Sequence, residues 1–270
     1  MRASSDVTAD LPTVAELGLD LLKTTPYHIS ISLSRPFICA GLYFFFAARG
    51  WWPAAVLCVM FLFITIVASA HDLVHDVLGL PRWLNEVMLA LIGMLVLESG
   101  HAYKVTHLQH HRNFPHEDDP EGDPARMSLW RAILEGPVFL FRLWWWSWQQ
   151  RPKARGWLLL EGGWFLGVAL LALTLWPQSP TLLIYVGLVL AGSWIYPLST
   201  VHLPHNIHGE NALFQTYTLR GRFIPRLFLE LTYHLEHHLY PAVPSHNYAE
   251  LSRRLEPYLE RAGVEPVKVW

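Results

Sequence analysis

Three runs of histidine carry the strongest chemical signal in this sequence. His234-Leu235-Glu236-His237-His238 sets imidazoles at i, i+3 and i+4, and on a helix all three project from one face. His107-Leu108-Gln109-His110-His111 repeats that spacing, and His71-Asp72-Leu73-Val74-His75 gives an i, i+4 pair. Eight of the 15 histidines thus fall in helix-compatible clusters. Neutral imidazole nitrogens bind iron or zinc, and helical spacing aims several of them at one point. A structural zinc takes four ligands, so eight histidines exceed one such site. The zinc-peptidase pattern His-Glu-x-x-His is not met, because residue 72 is Asp and not the Glu that would act as general base. Haem would need only one or two histidines within membrane spans, whereas these begin at helix exits. Two iron ions in an almost all-His shell fit the count best.

The elements that hold these residues belong in a membrane. The chain is 52% hydrophobic and 16% charged, with 13 Trp and a mean hydropathy of +0.24. A net charge of −2 with no basic run offers nothing to nucleic acid. Cys39 and Cys58 both lie in apolar runs and read as small fillers, not as a zinc ribbon, cluster or disulfide framework.

In chain order, residues 1–28 are expected to form an interfacial segment. Thr13-Val14-Ala15-Glu16 fits a capping box, and Val14, Leu17, Leu21 and Leu22 follow at helical spacing. The remaining 29–270 reads as one membrane domain with spans at 29–48, 51–70, 157–176 and 182–201, paired as two hairpins. The first span includes Arg35 and Pro36 near one end, and Trp51 and Trp52 anchor the second at the interface. Met88–Leu97 is too short to cross and reads as a re-entrant or buried helix beneath the histidines. Leu129–Trp148 reads as an amphipathic helix along the headgroups, and Glu161 as an interfacial carboxylate. The acidic run Glu117–Pro124 is expected to be a solvated loop, with room beside the second cluster to support ligands or dock a partner. Pro257 should kink the C-terminal helix. Arg49 is the only one of 20 Lys and Arg in the two turns between paired spans. Positive-inside therefore places both termini and the cap, 71–156 and 202–270, in the cytoplasm.

The three clusters resemble, in order and spacing, the histidine boxes of the membrane fatty-acid-desaturase superfamily, over residues 55–245. The resemblance implies an all-α integral membrane fold: about four transmembrane helices under a cytosolic helical cap that holds a non-haem di-iron site. That site would use O2 to attack an unactivated C–H bond of a lipid. His71, His75, His107, His110, His111, His234, His237 and His238 are similar to the family's ligands, and Asp72 is placed where it could orient a ligand imidazole. A further ligand is expected among His202, His205 and His208, which follow the last span. His205 is preferred, because His202 falls in the span's last turn and His208 beside Gly209 reads as solvated. Leu203-Pro204-His205 is also similar to a Leu-Pro-His run of carotenoid ring ketolases and hydroxylases in this superfamily.

Three positions depart from the common pattern. Asp76 stands where members often have Gly, Arg112-Asn113 where Thr-Asn is frequent, and His234 where cytochrome-b5-fused desaturases have Gln. With no fused cytochrome domain, the resemblance implies a separate ferredoxin- or cytochrome-like electron donor. Acyl-chain desaturation or hydroxylation is the leading expectation, and oxidation of a carotenoid ring the alternative. A non-enzymatic metal-binding or transport protein is the third, although transporters set polar ligands within their spans and these spans are almost bare.

Overall fold

Prolines placed inside the apolar helices show how this chain is held together. The computed structural model describes residues 11–270, and its first long helix, α1 (Pro26–Ala48), runs straight through Pro36. Proline lacks the N–H that would bond the carbonyl four residues back, leaving the Ser32 carbonyl free. Ser69 on α2 (Trp52–Val74) donates its hydroxyl to that carbonyl at 2.5 Å. The first span thus gains its length from a bond supplied by the second. α2 also runs one turn beyond the expected end at residue 70, so His71 lies within it and His75 caps it.

α3 (Arg82–Leu95) and α4 (Gly100–Asn113) meet at 107°, a bend suited to the re-entrant element expected near Met88–Leu97. A Cβ on Gly100 would lie 2.4 Å from the Leu89 carbonyl oxygen, so the two helices can close only on glycine. The bend leaves carbonyls of α3 without helical donors. Tyr185 takes that of Leu95 at 2.7 Å, and Trp164 takes that of Met94 at 3.0 Å.

α5 (Leu129–Gln150) buries Ala132, Gly136, Phe139, Leu143 and Ser147 and exposes Trp130, Leu134, Phe141 and Trp145, the two-faced pattern expected of it. Its Pro137 frees the Ile133 carbonyl, which accepts from the Trp194 indole at 2.7 Å. The remaining spans are α6 (Arg155–Leu175) and α7 (Thr181–Trp194), the latter prolonged by a π-helical turn over Pro197–His202. With the adjoining turn Pro152–Ala154 counted in α6, four helices among the described residues are long and apolar enough to cross a membrane. The expectation for Glu161 is corrected. It is buried, and both its oxygens are bonded, to Ser99 Oγ at 2.5 Å and His101 Nδ1 at 2.8 Å. His101 in turn reaches Glu86, which pairs with Lys104.

Beyond the spans lie α8 (His234–Leu239), α9 (Tyr248–Arg261) and a short parallel pair, β1 (Leu219–Arg220) with β2 (Val267–Lys268). α9 continues through Pro257 to its end. The capping box at Thr13 forms as expected, but it opens only a single turn, Val14–Leu17. The described part of the N-terminal segment then departs from an interfacial helix; residues 1–10 of that segment lie outside the described residues. Leu17 and Leu21 bury in one cluster with Leu251, Leu255 and Leu259 of α9, because a docked turn hides more apolar surface than a lone short helix can. Arg254 fastens this contact through Asp20 and the Leu17 carbonyl.

The free carbonyl at Ser32 gives a stability prediction. Ser69→Ala removes its donor in an apolar setting and is expected to cost about 1–3 kcal/mol. Thermal unfolding in detergent should show a lowered midpoint, and an unchanged midpoint would refute the role given to Ser69.

Candidate metal centre

Each histidine is delivered by an element whose local structure follows from its spacing. His71 and His75 lie one turn apart at the end of α2, and His107, His110 and His111 occupy the last two turns of α4. His234, His237 and His238 fill the six-residue α8, and His205 follows the π-helical turn after α7. The ligand nitrogens of His71, His75, His107 and His237 lie within 4.8 Å of one another, and those of His110, His205 and His238 form a second such group. His111 joins the first group, its Nε2 2.7 Å from that of His237 and 3.2 Å from that of His107. His234 joins the second, its Nε2 3.1 Å from those of both His205 and His238. All nine histidines expected from the sequence come together.

Whether these rings suit a metal is decided by their protons. The Asp119 carboxylate lies 2.6 Å from His110 Nδ1, and the Val201 carbonyl 2.7 Å from His205 Nδ1. Carbonyl and carboxylate oxygens only accept, so both rings carry their proton on Nδ1. Their Nε2 lone pairs then face each other across 2.8 Å. No neutral arrangement satisfies that contact, whereas a shared cation does. His107 repeats the pattern with Glu121 at 3.0 Å, and His237 Nδ1 meets the Tyr248 hydroxyl at 2.8 Å. His75 Nε2 and His71 Nδ1 are buried with no partner among the described residues. Burial lowers His234 to about 3 and His75 to about 4. It also holds His205, His237 and His238 well below the usual imidazole range, with neighbouring imidazoles adding to the effect. These five rings are therefore neutral at pH 7, the form that binds metal. Each group could hold a metal ion.

Two supporting carboxylates come from a segment the sequence reading left mostly to solvent. Asp119 and Glu121 are buried against His110 and His107, which corrects the solvated-loop expectation for that part of 117–124. The available signal was position: acidic residues 8 and 10 places after His111 can fold back onto its helix. Asp72 is corrected in the opposite sense. It accepts from Ser245 N at 3.0 Å and Ser245 Oγ at 2.8 Å and thus ties α2 to the segment after the third cluster. Neighbouring positions on a helix point about 100° apart, so a residue beside His71 cannot share its face. His202 Nδ1 meets the Pro124 carbonyl at 2.9 Å and stays out of the cluster, and His208 is exposed. Tyr248 and His101 were not foreseen; their role depends on neighbours distant in sequence.

Beside the histidines lies an apolar cavity of about 990 Å³. Ala70 and Tyr103 line its near end, and the Tyr103 ring sits 4.9 Å from that of His107.

With this geometry in hand, comparison with known proteins is informative. Residues 49–270 match the family model for fatty acid desaturase. An acyl-lipid (9-3)-desaturase of Physcomitrium patens is 26% identical over 245 residues, 72% of this chain and 46% of that protein. A beta-carotene ketolase of a Paracoccus species is 30% identical over 186 residues, 65% of this chain and 68% of that protein. A dihydrorhizobitoxine desaturase of Bradyrhizobium elkanii is 24% identical over 237 residues, 72% of this chain and 65% of that protein. The chain spans about half the length of the first relative and about two thirds of the other two. Four apolar helices among the described residues, two groups of converging imidazoles and a family match over most of the sequence lead to one conclusion: this multi-pass membrane chain belongs to the fatty acid desaturase family.

Proposed function

We propose that the chain is an O2-dependent di-iron oxidoreductase that introduces a double bond or a hydroxyl into a fatty acyl chain. The observation that carries this is the facing pair of Nε2 lone pairs on His110 and His205, within nine converging imidazoles, five of them buried, beside an apolar cavity. One iron would be held by His71, His75, His107, His111 and His237, the other by His110, His205, His234 and His238. Bound there, the irons supply the reduction of O2 and the oxidising power to remove hydrogen from an unactivated C–H bond.

The protein's own part is positioning and exclusion. Asp119, Glu121 and the Val201 carbonyl hold the ring directions of His110, His107 and His205, and the Asp119 and Val201 oxygens keep the proton of their rings on Nδ1. The apolar cavity orients the substrate and keeps water from the oxidant. Removing a second hydrogen from the neighbouring carbon makes an alkene, while oxygen added at the first carbon makes an alcohol. The choice rests on which C–H the cavity presents. Electrons come from a separate ferredoxin- or cytochrome-like donor. The near absence of Lys and Arg from the turns at 49–50 and 177–180 favours a cytoplasmic position for the histidines and both termini.

Carotenoid ring oxidation is a second reading. Leu203-Pro204-His205 and the likeness to a beta-carotene ketolase favour it. Expression in a heterologous host, with fatty acids and carotenoids both scored for new products, separates the two; a host with neither product altered would count against both.

Purified protein should contain about two irons per chain, as expected for neutral imidazole ligands in this number. His205→Ala should lose part of the iron and nearly all turnover, with His208→Ala close to wild type. Glu121→Gln should weaken iron affinity by roughly 10–100-fold through loss of ring orientation. One zinc per chain with full activity would overturn the di-iron assignment.

Topology is tested independently of metal. Reporter fusions after residues 50 and 179 should score on the far side of the membrane, and fusions after 120 and 270 in the cytoplasm. A far-side result at 270 would reverse the proposed orientation.

A further inference from the structure

The cavity that borders the histidines is apolar along most of its wall but carries carboxyl groups at one end. Glu98, Ser99, Glu161 and Ser193 all line it. Their hydrogen bonds are unequally used. Glu161 has both oxygens engaged, by Ser99 and His101. Ser99 also caps α4 by accepting from Ala102 N at 3.0 Å. Glu98 accepts only from Ser193 Oγ, through one oxygen. Among the described residues nothing reaches its second oxygen, and Glu98 is only half-buried.

The backbone is arranged to present this group. Leu97 has φ 57°, a conformation that costs a residue with a branched side chain and here turns the chain between α3 and α4. Glu98 is the next residue. An acceptor with a free lone pair in apolar surroundings is strongly selective, because leaving it unpaired costs more than a hydrogen bond normally returns.

We infer that Glu98, steadied by Ser193, anchors an alcohol group on an otherwise apolar substrate. Since Ser193 already donates to the carboxyl, the ligand complementary to its ionised form is a further donor: an O–H, and neither an ether nor a second carboxylate. Eight residues of helix separate Ser99 from His107, so the alcohol lies roughly 12 Å along α4 from the metal-proximal end of the cavity. The substrate is thus a neutral lipid that holds its hydroxyl at one end of the cavity and its reacting carbon at the other. This inference rests on the reading of the cavity as the substrate site in the proposed function.

Binding alone can test it. Protein in detergent micelles is titrated with octadecan-1-ol or with its methyl ether, and retained ligand is counted by native mass spectrometry. At pH 8.5, above the value of about 7 to which burial raises the Glu98 carboxyl, wild type should bind the alcohol about tenfold more tightly than the ether, the scale of a hydrogen bond to a charged acceptor. In Glu98→Leu the ratio should fall to about one. In Glu98→Gln, which keeps an acceptor oxygen without the charge, it should fall part of the way, and this variant serves if the leucine protein does not fold. Equal affinities in wild type, or a ratio unchanged in both variants, overturns the anchor. The measurement needs neither iron nor turnover. An intact alcohol preference in protein that forms no lipid product would support the anchor and count against the proposed reaction, and the converse result would do the reverse.

Discussion

The constraint on which the rest of this structure depends is electrostatic: neutral imidazoles turned lone pair to lone pair, at a depth where water cannot relieve them. His110 and His205 lie 95 residues apart in sequence, and each is held to one tautomer by an oxygen behind it. A protein does not gather nine such rings for packing, because each buried nitrogen left without a partner costs free energy. A cation at each group would turn that cost into binding. The second row of contacts, Asp119, Glu121, the Val201 carbonyl and Tyr248, then does the orienting that the rings cannot do for themselves.

Bringing those rings together inside an apolar scaffold requires every stray backbone group to find a partner. The chain solves this one polar side chain at a time. Ser69 answers Pro36, Trp194 answers Pro137, and Tyr185 and Trp164 close the end of α3. Glu161, His101, Glu86 and Lys104 form a connected series in which charge is shared among α3, α4 and α6. These bonds are worth more here than in water, since the alternative for each group is no partner at all. The π-helical turn at Pro197–His202 belongs to the same economy, for it carries Val201 to the place where its carbonyl meets His205.

Two opposite environments meet in this fold: a cluster of imidazoles that could hold metal and an apolar cavity beside it. Tyr103 stands at their boundary, lining the cavity while its ring lies against His107. Much of the cavity wall is drawn from the apolar spans, so the cavity shares their character.

Much of this was legible in the sequence, because helical periodicity is local and hydropathy is additive. The spacing of His71, His107 and His234 with their partners, the four spans and the choice of His205 over His208 needed only residues within a turn or two of one another. The same local rules failed wherever a side chain's partner lies far along the chain. Asp72 was assigned to a ring and belongs to Ser245, 173 positions away. Asp119 and Glu121 read as solvent-facing and are buried, because the loop folds back onto α4. Glu161 read as interfacial and is enclosed by Ser99 and His101, and Leu17 and Leu21 turn from the membrane to α9. Residue type and spacing determined which atoms could bind metal. Only the tertiary structure decided which oxygens would hold them, because hydrogen-bond partners are chosen by proximity in space and not by order in the chain.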